Sequence, residues 1–201
     1  MKTIVIASNN AHKVEEISSA LDFPGWEFRT LRQVGIDSDP AEDAGTFEGN
    51  ARIKARAAHE LCQGVAVLAD DSGLVVDALG GAPGVYSSRY AGERATDADN
   101  NAKLLAELSG VTEGQRGARF VCTLVFIDED GTETVAQGTL EGRIGLDGRG
   151  EHGFGYDPLF LPELFGGERT LAEASPEEKN AMSHRGNALR SLKEMLTARM
   201  A

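Results

Sequence analysis

Only two of the 201 residues are cysteine and only one is tryptophan. Cys62 and Cys122 lack the spacing of a metal site and are too few for a disulfide framework, so both read as buried thiols in a reducing compartment. The opening MKTIVIASNN carries an apolar run of about six residues, short of the ~7–15 of a secretory core, and no run nears the ~20 of a membrane span. A soluble, cytoplasmic protein is expected. Positive charge is also scarce, with 20 Lys and Arg against 32 Asp and Glu and a net charge of −12. That field repels a phosphate backbone and argues against a nucleic-acid partner, while a small anion in a local pocket stays compatible with it. None of the four histidines has i,i+4 spacing, which argues against zinc.

What is present suits a folded chain. At 41% hydrophobic and 26% charged it can build a core, so disorder is excluded. The length fits one large domain or two small lobes.

Thr3 to Ala7 is a β-branched run that reads as a buried strand, broken at Ser8-Asn9-Asn10. Val14, Ile17 and Leu21 follow at helical spacing and stop at Pro24-Gly25. Trp26 to Leu31 reads as a second strand, and Gly35 to Gly45 as an acidic, turn-rich stretch. Thr46 caps a helix expected to run to Cys62, and Val65 to Ala69 is a strand ending in the turn Asp70-Asp71-Ser72-Gly73. A helix is expected over 97–108 behind Thr96, then a hairpin of 119–128 and 133–144. Ser175-Pro176-Glu177-Glu178 is a capping box opening a helical C-terminus, with an interruption expected near Gly186. Early alternation of strands and helices followed by a long hairpin predicts an α/β protein with a mixed sheet.

Four segments could carry chemistry. Ser8-Asn9-Asn10-Ala11-His12-Lys13 lies between a strand and a helix N-terminus, where backbone N–H groups, the helix dipole and a lysine favour an anion. The same residues also suit a plain capping turn. Asp70 and Asp71 follow a buried strand; in extended backbone they face opposite ways, so at most one enters a given site directly. A carboxylate there can hold Mg²⁺ or accept a proton from water, or it can simply end the strand in an Asx-turn. Gly153-Phe154-Gly155-Tyr156-Asp157-Pro158 can present two rings and an acid to a nucleobase, or the rings can be core anchors. Lys179 with Ser183, His184 and Arg185 makes a positive site in an acidic chain, or a solvated helix face.

Together and in this order, SNNAHK, TFEGNARIKA, LADDSGLVVDALGGAPGVYSSRYAG, GFGYDP and SHRGNAL closely resemble the signature stretches of the inosine triphosphate pyrophosphatase family. The resemblance covers essentially the whole chain. It implies a single domain over 1–201, with a mixed central sheet, flanking helices and two lobes around a nucleotide cleft. It implies Mg²⁺-dependent hydrolysis of ITP, dITP, XTP and dXTP to monophosphate and pyrophosphate, clearing them from the nucleotide pool before they enter DNA or RNA. Ser8, Asn10 and Lys13 match its phosphate loop, Asp71 its catalytic acid and metal ligand, and Ser72 a substrate contact. Phe154, Gly155, Tyr156 and Asp157, with His184 and Arg185, would contact the base, and Lys179 would serve the nucleotide. One of the family's acids before the TF dipeptide is replaced here by Ala41, leaving Glu42 as the second metal candidate. The resemblance also implies a homodimer, to which Gly80 to Gly92 with Tyr86 and Tyr90 could contribute. Attack at the α- or the γ-phosphorus stays open on sequence alone, as do a pyrimidine-type pyrophosphatase and a binding protein without turnover. No G-x-G-x-x-G follows the first strand, which argues against a dinucleotide oxidoreductase.

Overall fold

A computed structural model describes residues 2–20, 23 and 25–200. Leu21 of the first expected helix and Pro24 of its expected stop lie outside these described residues. Six strands form one sheet in the order β2-β1-β3-β4-β5-β6. They are β1 (Lys2–Ile6), β2 (Trp26–Thr30), β3 (Ala66–Val76), β4 (Gly117–Ile127), β5 (Glu133–Ile144) and β6 (Phe160–Pro162). β1 runs parallel to both β2 and β3, whereas β5 and β6 are antiparallel, so the sheet is mixed as expected. The helices are α1 (Ala11–Ala20), α2 (Phe47–Leu61), α3 (Asp97–Glu107), α4 (Pro176–Met182) and α5 (His184–Met200).

The chain forms two compact units. The first comprises Met1–Asp71, Cys122–Gly138 and Arg185–Ala201, and the second Ser72–Val121 and Thr139–His184. β3, β4 and β5 therefore contribute residues to both.

In the first unit the strand period of two sorts side chains onto two apolar faces. Ile4 and Ile6 of β1, Ala66 and Leu68 of β3, and Leu124 and Phe126 of β4 pack with Ile17 of α1 and with Ala188, Leu189, Leu192 and Leu196 of α5. The alternate residues Val5, Val67, Ala69, Val125 and Ile127 pack with Ala51, Ala55 and Ala58 of α2. Small alanines on α2 let that helix lie close to the strands. Helices thus cover both faces of this part of the sheet. In the second unit, Leu74 and Val76 of β3 and Phe120 of β4 share a core with Leu104 and Leu108 of α3 and with Tyr156, Leu159 and Phe160.

The caps follow the sequence. Thr46 caps α2 through Gly49 N–H, and Thr96 and Asp99 close a capping box on α3. Ser175 and Glu178 do the same for α4, with Pro176 at its first turn. One expectation needs correction and a second a shift. Asp70-Asp71-Ser72-Gly73 is not a turn, because β3 continues through it to Val76. The break expected near Gly186 is present but falls three residues earlier, at Ser183, whose backbone is extended (φ −61°, ψ 153°), while Gly186 lies inside α5. Ser183 N–H still donates to the Lys179 carbonyl at 2.8 Å, closing the last turn of α4, and its extended backbone then interrupts the helical run.

Candidate active site

The site residues of the first unit are set by the alternation along β3. Asp70 shares the parity of Leu68 and faces α1 and α5; Asp71 shares that of Ala69 and faces α2.

On the α1–α5 side, Lys13 Nζ lies 3.1 Å from Asp70 Oδ2 and Arg185 Nη2 lies 3.2 Å from the same oxygen. Arg185 is 1% exposed and also donates to Glu16. Burial opposes ionisation of Asp70, but Lys13, Arg185 and Lys54 outweigh it and hold its carboxyl well below the usual range. Arg185 is likewise held charged: burial disfavours the cation, and Asp70 and Glu16 more than offset this.

Lys13 reaches Asp70 because α1 begins at the right place. Asn10 Oδ1 accepts from Lys13 N–H at 3.2 Å, and Ser8 Oγ accepts from Asn10 N–H at 3.3 Å, so the polar loop itself starts the helix. Asn9 donates to the Ser38 carbonyl at 3.0 Å, and Ala11 and His12 are exposed on the first turn.

On the α2 side, Asn50 Nδ2 donates to Asp71 Oδ2 at 3.1 Å, while Asn50 Oδ1 accepts from Ala44 N–H at 3.0 Å. One buried amide thus ties the catalytic candidate to the acidic loop. Lys54, one helical turn further, donates to Glu42 Oε2 at 2.9 Å and lies 3.6 Å from Asp71 Oδ1. Burial raises the Asp71 pKa, assisted by the negative charge of Glu42 and opposed by Lys54 and Lys13. Two neighbouring acids on one strand are therefore pushed in opposite directions. That is the pattern expected of one structural carboxylate and one available for proton transfer.

The second unit carries the aromatic loop. Asp157 Oδ2 accepts from Lys179 Nζ at 2.7 Å and from Phe154 N–H at 2.9 Å, and Lys179 Nζ lies 4.6 Å from the Phe154 ring centroid. Gly153 allows this closeness: a Cβ there would stand 2.1 Å from Asp157 Oδ2. Tyr156 is buried and donates its hydroxyl to the Ser87 carbonyl at 2.8 Å, so its ring is a core anchor. His184 is buried and stacks on Phe120, with centroids 4.8 Å apart. Ser72 lies half-buried within β3.

The sequence-read residues therefore fall into three groups: Lys13, Asp70 and Arg185; Asp71 and Glu42; and Phe154, Asp157 and Lys179. Lys179, His184 and Arg185 are buried, which excludes the solvated-helix reading. Tyr86 is 59% exposed as expected, while Tyr90 is half-buried and donates to Glu107. Sequence reasoning singled out neither Asn50, Lys54 nor Glu16. Asn50 and Lys54 stand four apart on an alanine-rich helix face, and a polar residue among Ala51, Ala55 and Ala58 was the available signal.

Layered helices on a mixed sheet, with opposed acids on a central strand, define an open-sheet α/β protein. The chain belongs to the Ham1 family, whose model matches residues 4–195. It is 48% identical to a dITP/XTP pyrophosphatase of Clostridium perfringens and 45% identical to that of Bacillus subtilis, covering 98% of both chains in each case. The solved structure of a HAM1 protein from Coxiella burnetii matches with a TM-score of 0.88 and 42% identity, covering 98% of this chain and all of that one.

Proposed function

We propose that this protein is a nucleoside triphosphate pyrophosphatase that hydrolyses the deaminated purine nucleotides ITP, dITP, XTP and dXTP to monophosphate and pyrophosphate. The observation that carries it is Asp71, a buried carboxylate with a raised pKa, braced by Asn50 and faced by Glu42 and Lys54. Near-full-length relatives named dITP/XTP pyrophosphatases supply the substrate class.

Lys13, Ser8 and Asn10, with the first N–H groups of α1, bind and neutralise the triphosphate. Asp71 accepts a proton from water as the water oxygen bonds to the α-phosphorus. The bond from that phosphorus to the α–β bridging oxygen breaks, and pyrophosphate leaves. Ser72 contacts the substrate beside Asp71. Phe154 to Asp157, with His184 and Arg185, contact the base, and Lys179 serves the nucleotide. A purine 6-oxygen accepts from donors there, whereas adenine presents an amino donor and leaves a buried donor unpaired.

The residues fit Mg²⁺. Glu42 Oε2 and Asp71 Oδ1 already share one cation, the Lys54 ammonium. Mg²⁺ takes one or two protein carboxylates and completes its shell with water and phosphate oxygens. When bound, it would offset charge on the phosphates and on the leaving pyrophosphate.

We extend the reading to a cytoplasmic homodimer that clears these nucleotides from the precursor pool. Among the described residues no helix is long and apolar enough to cross a membrane. Gel filtration with light scattering tests the assembly, and a monomer at micromolar concentration counts against it.

The decisive assay is turnover of ITP, XTP, dITP, ATP, GTP and dTTP with Mg²⁺, resolving pyrophosphate from orthophosphate. Pyrophosphate from ITP and XTP, with ATP and GTP slow, is expected. Orthophosphate would mean γ-attack, pyrophosphate mainly from dTTP a pyrimidine enzyme, and no turnover a binding protein.

A further inference from the structure

The aromatic loop is held by two residues outside its own motif. Gly155 donates its N–H to Asp97 Oδ2 at 2.7 Å and accepts at its carbonyl from Asn101 Nδ2 at 2.9 Å. Asp97 and Asn101 stand four apart at the start of α3, so one face of that helix grips both polar groups of a single residue. Next to it, Phe154 N–H bonds Asp157 Oδ2 and the Phe154 carbonyl accepts from Asp157 N–H at 3.3 Å. The backbone on either side of the Phe154–Gly155 peptide is thereby fixed.

α3 has little need of this pair for its own stability. Its N-cap is Thr96, its capping box is completed by Asp99, and its buried face carries Leu104. Asparagine is a poor helix former. A carbonyl can only accept, so the Asn101 amide must turn its NH₂ to Gly155. That leaves Asn101 Oδ1 buried with no hydrogen-bond partner among the described residues. An acceptor buried without a partner is unfavourable, and the Gly155 contact is what it accompanies.

We propose that Asp97 and Asn101 are positioning residues for base recognition, clamping Gly155 so that Phe154 is held ready to stack on the nucleobase. This rests on the reading of Phe154 as a base contact. A loop ordered during folding has less freedom to lose on binding, so the clamp acts on affinity for the base. It does not act on proton transfer at Asp71.

The test compares Asp97→Ala, Asn101→Ala, Asp97→Asn and Thr96→Ala in the full-length protein. Each alanine at the clamp is expected to raise KM for ITP about five- to ten-fold, the worth of one hydrogen bond, with kcat within about two-fold. Asp97→Asn keeps an acceptor and should stay near the wild-type KM. Thr96→Ala weakens α3 without touching Gly155, so it should lower the melting temperature and leave KM alone. An unchanged KM in both clamp variants, or an equal rise in Thr96→Ala, overturns the proposal. Calorimetric titration with IMP is run in parallel, where the clamp variants should bind more weakly by the same factor. If the wild type binds IMP but hydrolyses no triphosphate, the hydrolase reading falls and the IMP titrations still decide the clamp. If it neither binds IMP nor hydrolyses a triphosphate, both fall.

Discussion

Asn50 donates to one oxygen of Asp71 and leaves the other turned toward Lys54. The carboxylate is thus held by a neutral amide at one oxygen and faces an ammonium at the other. Asp71→Asn keeps the size of the side chain and removes the base. Turnover of ITP should fall by ~10²–10⁴, with IMP affinity little changed. Side-by-side kinetics and calorimetry check this, and retained turnover would remove Asp71 from the mechanism.

Glu42 is the second metal candidate of the proposed site: it accepts from Lys54, and Ala41 beside it offers no further acid. Glu42→Gln should raise the Mg²⁺ concentration for half-maximal activity by about ten-fold or more, given that even outer-shell partners cost about 10–100-fold. Activity at saturating Mg²⁺ should largely recover. An unchanged Mg²⁺ curve would assign the metal elsewhere.

Asp70 makes a different prediction, on stability against pH. Burial alone would raise its pKa, yet Lys13, Arg185 and Lys54 bring it well below that of the unfolded chain. The folded state therefore binds fewer protons, and the stabilisation is complete above about pH 4 and lost as pH falls further. Asp70→Asn should cost about 3 kcal/mol at pH 7, the low end for one-sided removal of a buried ion pair, since Glu16 still faces Arg185. Urea unfolding of both proteins at pH 7, 5 and 3.5 should show an equal gap at the first two and a gap beginning to narrow at the lowest pH. A constant gap would mean that packing, not charge, is what Asp70 supplies.

Gly153 and Gly155 both have positive φ, at +79° and +63°, but only Gly153 is crowded. Gly153→Ala places a methyl group against Asp157 and should raise KM for ITP about ten-fold or more, the loss of a charge-assisted contact. Gly155→Ala meets no atom within 4 Å and carries only the backbone penalty, roughly 1 kcal/mol of stability. Thermal melts and KM for the two variants separate these effects.

Burial pushes the Cys122 thiol up to about 12 and raises that of Cys62 as well. Thiolate is the reactive form, so neither should react with iodoacetamide at pH 8 until denaturant is added. Mass spectrometry before and after unfolding reads this directly. Rapid native labelling of Cys122 would contradict its packing beside Leu124 and Phe126.

Much of this architecture was legible in the sequence because its signals are local. Thr46, Thr96 and Ser175 mark their helices through side chains that reach three residues, and the hairpin turn closes within Asp128 to Thr132. The strand through Asp70 and Asp71 was not legible. Two acids and a glycine look like a stop, and only cations from α1, α2 and α5 let them continue inside a sheet. The three site groups were visible as motifs, whereas Asn50, Lys54, Asp97 and Asn101 act from helices whose own sequence patterns are ordinary. Asn50 meets Asp71 across 21 residues, Lys54 meets Glu42 across 12, and Asp97 and Asn101 meet Gly155 across 58 and 54, separations no local pattern encodes.

The first unit is assembled from three separate stretches, the last starting at Arg185. A growing polypeptide that has not yet emerged past that point carries Asp70 without Arg185 and an apolar face without Ala188, Leu189, Leu192 and Leu196. Long-range closure of this kind is slow and comes last. The strand that carries Asp70 and Asp71 therefore cannot settle until the stretch from Arg185 has been made, and a polypeptide cut before it leaves a buried charge and an apolar face uncovered.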